Sequence, residues 1–206
     1  MPAEKKFRAI IWDMGGVLLR NMDPSVRGGL GKPYGLSYMD LENLFFGNPV
    51  AKLATIGQAN ESDIWEYVRQ RLNLRPEELP EFARIYWSCD QLDEELYTFI
   101  MGLKPAYKIG LLSNAYRQTP QALEQKFPHI FNLFDAMVIS AEVGLAKPDP
   151  RIYQLMLERL DVRAEEAIFV DDFIENIAAA QAYGLAAVHF RNAQQARIDV
   201  LALLAE

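Results

Sequence analysis

The sequence predicts an α/β fold: a doubly wound parallel sheet that carries a small all-helical insertion. Three observations predict it. Five short apolar runs recur: "AIIW" before Asp13, "KIGLL" before Ser113, "AMVIS" at 136–140, "AIFV" before Asp171 and "AAVHF" at 186–190. Segments with helical spacing separate the last four. One stretch, from about Asn21 to Glu95, breaks this rhythm and holds no clear strand.

Each apolar run lacks polar residues on both faces, which is how a buried parallel strand reads. "PQALEQKF" links the second run to the third. "PRIYQLMLERL" links the third to the fourth, with Asp149 placed to cap it and Pro150 at its first position. "IENIAAAQAYGL" links the fourth to the fifth, and Gly184 suits its C-terminal cap. Strands alternating with helices imply right-handed crossovers and a sheet covered on both faces.

Within the strandless stretch, "NESDIWEYVRQRL" reads as an amphipathic helix capped by Asn60. "RPEELPEFARIYWSCD" reads as a second, with Pro76 near its start, and "DLENLFFG" as a short third. The aromatics Phe45, Phe46, Trp65, Tyr67, Phe82, Tyr86 and Trp87 are expected to form this module's core rather than a ligand box. The expected division is residues 1–20 and 96–206 as an α/β core, with 21–95 as the helical module.

Composition narrows the class. A chain of 206 residues, 50% hydrophobic and 24% charged, suits one domain with a sizeable insertion. Its 21 basic against 28 acidic residues give a net charge of -7, which argues against a nucleic-acid partner. The one cysteine, Cys89, excludes an internal disulfide framework and is expected to be structural. The histidines, His129 and His189, are too far apart in sequence for a histidine-rich metal site, and His189 reads as a satisfied core-edge residue. "MPAEKKFRAII" has no apolar leader core, and no run approaches the about 18–20 residues of a membrane span, so a soluble, cytoplasmic protein is expected.

Ligands of an open parallel sheet bind at the carboxyl ends of its strands. There the first run delivers Asp13, the second Ser113 and Asn114, and the fourth Asp171 and Asp172. The loop after the third run holds Lys147, in "GLAKPDP". Taken singly, each is an ordinary turn, cap or loop residue. Together they describe a site. Clustered carboxylates repel unless a cation sits among them, and oxygen ligands suit Mg²⁺. A lysine offsets the remaining negative charge, and a serine hydroxyl with backbone N–H groups makes an anion cradle. Carboxylates, Mg²⁺ and an anion cradle are the parts of a phosphoryl-transfer site.

The order of Asp13 in "IIWDMGGVL", Ser113 in "GLLSNA", Lys147 in "AKPDPRIY" and the acid pair in "FVDDFIEN" resembles the haloacid dehalogenase superfamily over essentially the whole chain. It is similar to the phosphatase branch, a Rossmann-like core with a helical cap between the first and second motifs. The resemblance implies Asp13 as a nucleophile that forms an aspartyl phosphate. It implies a Mg²⁺ site made by Asp13, the Gly15 carbonyl, Asp171 and Asp172. Ser113 and the N–H of Asn114 would hold the phosphoryl oxygens, Lys147 would bridge nucleophile and phosphate, and Asn176 would brace the acid loop.

The departure is at Gly15. Most phosphatases of the family carry a second aspartate there, as acid and base, which is typically worth ~10²–10⁴ in rate. Three readings stay open. The substrate has a good leaving group or its own proton path, as a sugar 1-phosphate or acyl phosphate would. A cap residue or water replaces the aspartate. Or turnover is lost and the fold serves binding. Family phosphatases for sugar 1-phosphates resemble this chain in having Gly there, which favours the first two.

The expected function is therefore a Mg²⁺-dependent phosphatase for a small phosphorylated metabolite, a sugar phosphate among the candidates. The alternatives are a silent binding module and a metal-free 2-haloacid dehalogenase. The acid pair argues against the last, because the resemblance implies that dehalogenases lack it and carry an aromatic at the Gly15 position. Arg20, Arg27 and Arg117 are expected to be solvated rather than cleft-facing. A monomer or weak homodimer is expected.

Overall fold

The computed structural model describes residues 6–205. The start of the N-terminal segment read for a leader, and Glu206, lie outside the described residues.

The five apolar runs become one parallel sheet. Its strands are β1 (Ala9–Trp12), β4 (Lys108–Ser113), β5 (Ala136–Ile139), β6 (Ala167–Asp171) and β7 (Ala186–His189), in spatial order β5-β4-β1-β6-β7. β1 is the centre: Ile11 pairs with Gly110 of β4 on one side and with Phe169 of β6 on the other. All four residues of β1 and all five of β6 are buried. Gly110 is small for a reason of packing. A Cβ there would meet the Leu160 and Met156 side chains at 3.0 Å.

Period-2 alternation sends β1 side chains into two cores. Ile10 and Trp12 join Leu96, Ile100, Ile109 and Val200 on one face. Ala9 and Ile11 join Ile152, Tyr153, Met156 and Phe169 on the other. The covering helices are α6 (Glu94–Leu103) and α11 (Ala193–Leu204) against the first face, and α9 (Pro150–Leu160) and α10 (Ile174–Tyr183) against the second. The expected caps are present: the Asp149 carboxylate accepts from the Arg151 amide at the start of α9, and Gly184 is left-handed after α10.

The stretch expected to lack strands contains β3 (Asp90–Leu92), paired antiparallel with β2 (Leu19–Asn21). These three-residue strands read "LRN" and "DQL", too short and polar to register as apolar runs. Between them lie α1 (Pro24–Gly31), α2 (Tyr38–Phe46), α3 (Pro49–Thr55), α4 (Glu61–Leu72) and α5 (Leu79–Ser88). α2, α4 and α5 answer the three expected helices. α4 is capped by Asn60, whose N–H donates to the Asp63 carboxylate at 2.8 Å.

These helices have their own apolar cluster, centred on Phe45, Ile64, Trp65, Phe82 and Tyr86. Phe45 meets Trp65 at 4.6 Å and Tyr86 at 5.0 Å between ring centroids. Phe46 and Tyr67 are corrections: Phe46 is exposed, and Tyr67 is half-buried under the Arg71 guanidinium, which lies 5.1 Å from its ring centroid, outside this cluster. Tyr116, three residues past Ser113, reaches from the sheet side into this cluster. Among the described residues no helix is long and apolar enough to cross a membrane.

Candidate active site

Every residue of the expected constellation lies at the carboxyl end of the sheet. Asp13 directly follows β1, Ser113 ends β4, Asp171 ends β6, and Lys147 stands in the loop between the one-turn helix α8 (Ser140–Val143), which follows β5, and α9. Ser113, Asp13, Lys147 and Asp171 are all buried.

Lys147 is the hub. Its Nζ lies 2.7 Å from Asp13 Oδ1 and 2.6 Å from Asp171 Oδ2, and it donates to the Leu112 carbonyl at 2.9 Å. Burial pulls the ammonium toward neutrality, but the charges of Asp13 and Asp171 outweigh it and hold its pKa above 10.5. A reciprocal clamp fixes the lysine's backbone. The Asn114 side chain accepts from the Lys147 N–H at 2.8 Å and donates to the Lys147 carbonyl at 2.9 Å. The expected role of Asn114 is confined to its backbone N–H. This side-chain contact spans 33 residues, so no local pattern announces it.

Asp171 is held on several sides. Asn176 Nδ2 donates to its two oxygens at 3.0 and 3.1 Å, and the Phe173 N–H donates to Oδ1 at 2.8 Å. The bracing expected of Asn176 is there.

Asp13, Asp171 and Asp172 each offer an oxygen, and these atoms lie within 4.8 Å of one another. Burial, with the charges of Asp171 and Asp172 adding to it, raises the Asp13 pKa to about 7 even though Lys147 opposes the rise. Burial and the Asp171 charge raise Asp172 to about 6. Asp172 Oδ1 is buried without a hydrogen-bond partner. One ammonium does not balance three carboxylates. An oxygen-seeking divalent cation would offset the excess and satisfy the orphaned oxygen, so the donor set fits such an ion.

The two glycines after Asp13 differ. Gly16 has φ +83°, and a Cβ there would fall 2.1 Å from Asp172 Oδ2, so the turn accepts no other residue without displacing that carboxylate. Its N–H donates to the Leu19 carbonyl at 2.8 Å, curling the chain from Asp13 into β2. Gly15 is exposed, and a Cβ there would meet nothing within 4 Å.

Arg20 and Arg27 correct the expectation of solvated side chains, while Arg117 is exposed, as expected. Arg27 is buried. It bonds the Tyr86 carbonyl at 2.9 Å, Glu42 at 2.9 Å and Asp90 at 2.5 Å, and lies 4.0 Å from the Tyr86 ring centroid. Arg20 is half-buried and pairs with Asp93. Arg117 donates to the Ala141 carbonyl at 3.3 Å. His189, expected at a core edge, is exposed, with Nε2 3.0 Å from the Asp172 carbonyl oxygen. Cys89 is buried, as expected.

Comparison with known proteins adds the lineage. A family model for haloacid dehalogenase-like hydrolases matches residues 7–184. A sesquiterpene phosphatase of Aspergillus oryzae is 29% identical over 185 residues, 89% of each chain. A phosphorylated carbohydrates phosphatase of Thermotoga maritima is 30% identical over 193 residues, 88% of this chain and 83% of that one. Against several other relatives the chain spans a third or less of their length. Among solved structures, a haloacid dehalogenase family enzyme of Bacteroides thetaiotaomicron, in complex with magnesium and inorganic phosphate, superposes with a TM-score of 0.74 at 20% identity, covering 90% of this chain and 94% of that one. With the model match spanning most of its length, the chain belongs to the haloacid dehalogenase-like hydrolases and is a hydrolase of that family.

Proposed function

We propose that this hydrolase is a Mg²⁺-dependent phosphatase that cleaves a small phosphomonoester through a phosphorylated Asp13. The observation that carries the reading is the buried Asp13–Lys147–Asp171 triad beside the orphaned Asp172 oxygen. The phosphatase relatives and the magnesium and phosphate in the Bacteroides enzyme support it.

Asp13, Asp171 and Asp172 would hold the ion, with the Gly15 carbonyl completing the set. When bound, Mg²⁺ supplies positive charge that keeps the carboxylates ionised and neutralises phosphoryl oxygens. Asp13 attacks phosphorus with one carboxylate oxygen, and the ester oxygen leaves with the bonding electron pair. Ser113 and the Asn114 N–H hold two of the phosphoryl oxygens. Lys147, clamped by Asn114, meets the charge that builds between nucleophile and phosphate and orients the attacking oxygen. A water beside the leaving oxygen gives it a proton and becomes hydroxide. A second water then attacks the phosphorus of the aspartyl phosphate and passes its proton to that hydroxide, breaking the bond between phosphorus and the Asp13 oxygen and releasing inorganic phosphate and the Asp13 carboxylate. Helices α1–α5, attached through β2 and β3, act as a cap over the cleft.

The test is release of inorganic phosphate from aryl and alkyl phosphates, with Mg²⁺ and with EDTA, beside halide release from a 2-haloacid. Phosphate release that EDTA abolishes supports the reading. Halide release that persists in EDTA, without phosphatase activity, contradicts it.

A further inference from the structure

We infer that the organic part of the substrate is apolar and lies across Gly15 toward Phe173 and Ile174. The inference rests on the phosphatase reading and names the substrate class of that site. Three observations carry it.

The first is space. Gly15 needs no glycine for its backbone, unlike Gly16, and a side chain there would meet nothing within 4 Å. The missing side chain therefore leaves room two residues from the nucleophile, and the ester's organic group takes that room in this proposal.

The second is the character of the neighbouring rim. Phe173 and Ile174 follow Asp172 directly and are 59% and 55% exposed. Phe173 is also the N-cap of α10, and its side chain makes no capping hydrogen bond. Ser, Thr, Asn or Asp there would stabilise the helix by accepting from its free N–H groups. The chain forgoes that stability and exposes two large apolar side chains at the same sheet end as the acids. Two adjacent exposed apolar side chains offer surface that an apolar group of a ligand would cover.

The third is the commitment of the cations. Arg20 and Arg27, the arginines that follow the first strand, are each paired with protein carboxylates. Neither Phe173 nor Ile174 can hydrogen-bond a sugar hydroxyl through its side chain. A polyhydroxylated or doubly anionic substrate would find little to bind on this side. An alkyl or isoprenoid chain would cover both side chains.

The experiment measures kcat/KM with Mg²⁺ for ethyl, butyl and octyl phosphate, below micelle-forming concentration, and for glucose 1-phosphate. Burial of each methylene is worth up to about fourfold in affinity. The expected result is a rise of at least tenfold from ethyl to octyl, with octyl above glucose 1-phosphate. In Phe173→Ser, which restores a capping side chain, the octyl-to-ethyl ratio falls at least fivefold while Tm does not fall. A flat chain-length series, a preference for glucose 1-phosphate, or an unchanged ratio in Phe173→Ser overturns the inference and leaves the phosphatase reading standing. If no ester is hydrolysed, the phosphatase reading falls. Calorimetric binding of octyl and ethyl phosphate to the wild-type protein with Mg²⁺ then decides the inference, and equal affinities overturn it.

Discussion

Lys147 Nζ lies 2.7 Å from Asp13 Oδ1, with both side chains buried. The same ammonium touches Asp171, so one charge ties the end of β1 to the end of β6. Removing it leaves clustered buried carboxylates without a protein counter-charge. Lys147→Ala is expected to lower kcat by about 10²–10³, the scale of losing one preorganised donor at a reacting oxygen. Lys147→Arg should not restore the rate, because a planar guanidinium cannot reproduce three donors diverging from one nitrogen. Steady-state kinetics on an aryl phosphate checks both.

Gly16 and Gly15 are expected to respond oppositely to the same small change. In Gly16→Ala the new Cβ would overlap Asp172 Oδ2 at a φ of +83°, displacing a proposed metal ligand. Tm should fall, and the Mg²⁺ concentration for half-maximal rate should rise by about 10–100-fold, as for other disturbed ligand settings. Gly15→Ala meets no atom within 4 Å, so its Tm should match the wild type. Thermal melts and Mg²⁺ titrations distinguish the two.

Arg27 is a structural cation. Its pairs with Glu42 and Asp90 and its bond to the Tyr86 carbonyl tie α1 to α2, α5 and β3. Arg27→Ala is expected to destabilise the protein by about 3–5 kcal/mol, the range for breaking a buried pair on one side. Urea unfolding gives the number. A stable variant with weakened phosphate binding would instead give Arg27 a role at the cleft.

Glu61 gives a pH signature. It accepts from Trp65 Nε1 at 3.1 Å, and burial raises its pKa above the ordinary 4.5. The folded state therefore holds this proton more tightly than the unfolded chain. Its contribution to stability is greatest below pH 4.5 and declines as pH rises through the raised folded value. Glu61→Gln, which keeps an acceptor for Trp65, should raise Tm at pH 7 and flatten the Tm profile above pH 4.5. An unchanged profile would contradict this.

The sheet and its chemistry were legible because each buried strand is an apolar run ending at a polar residue. "AIIW" stops at Asp13 and "AIFV" at Asp171, and the fold puts both at one edge. What lay hidden depends on distant partners. α1 contains Gly28, Gly29 and Gly31, a poor helix by propensity, and forms around Arg27 and its partners on α2, α5 and β3. The Asn114 clamp on Lys147 and the burial of Arg27 are contacts across the chain, and an exposed arginine reads the same as a buried one. Gly15 and Gly16 looked alike in sequence, and only the position of Asp172 separates them.

The most direct test of the central claim is to trap the covalent intermediate. The enzyme is mixed with an aryl phosphate and Mg²⁺, quenched in acid during turnover, and digested for mass spectrometry. One added phosphoryl group is expected on the peptide containing Asp13, absent with EDTA and absent in an inactive Asp13→Asn variant. Turnover at the wild-type rate by Asp13→Asn, with no phosphoryl group on the wild-type peptide, would contradict it.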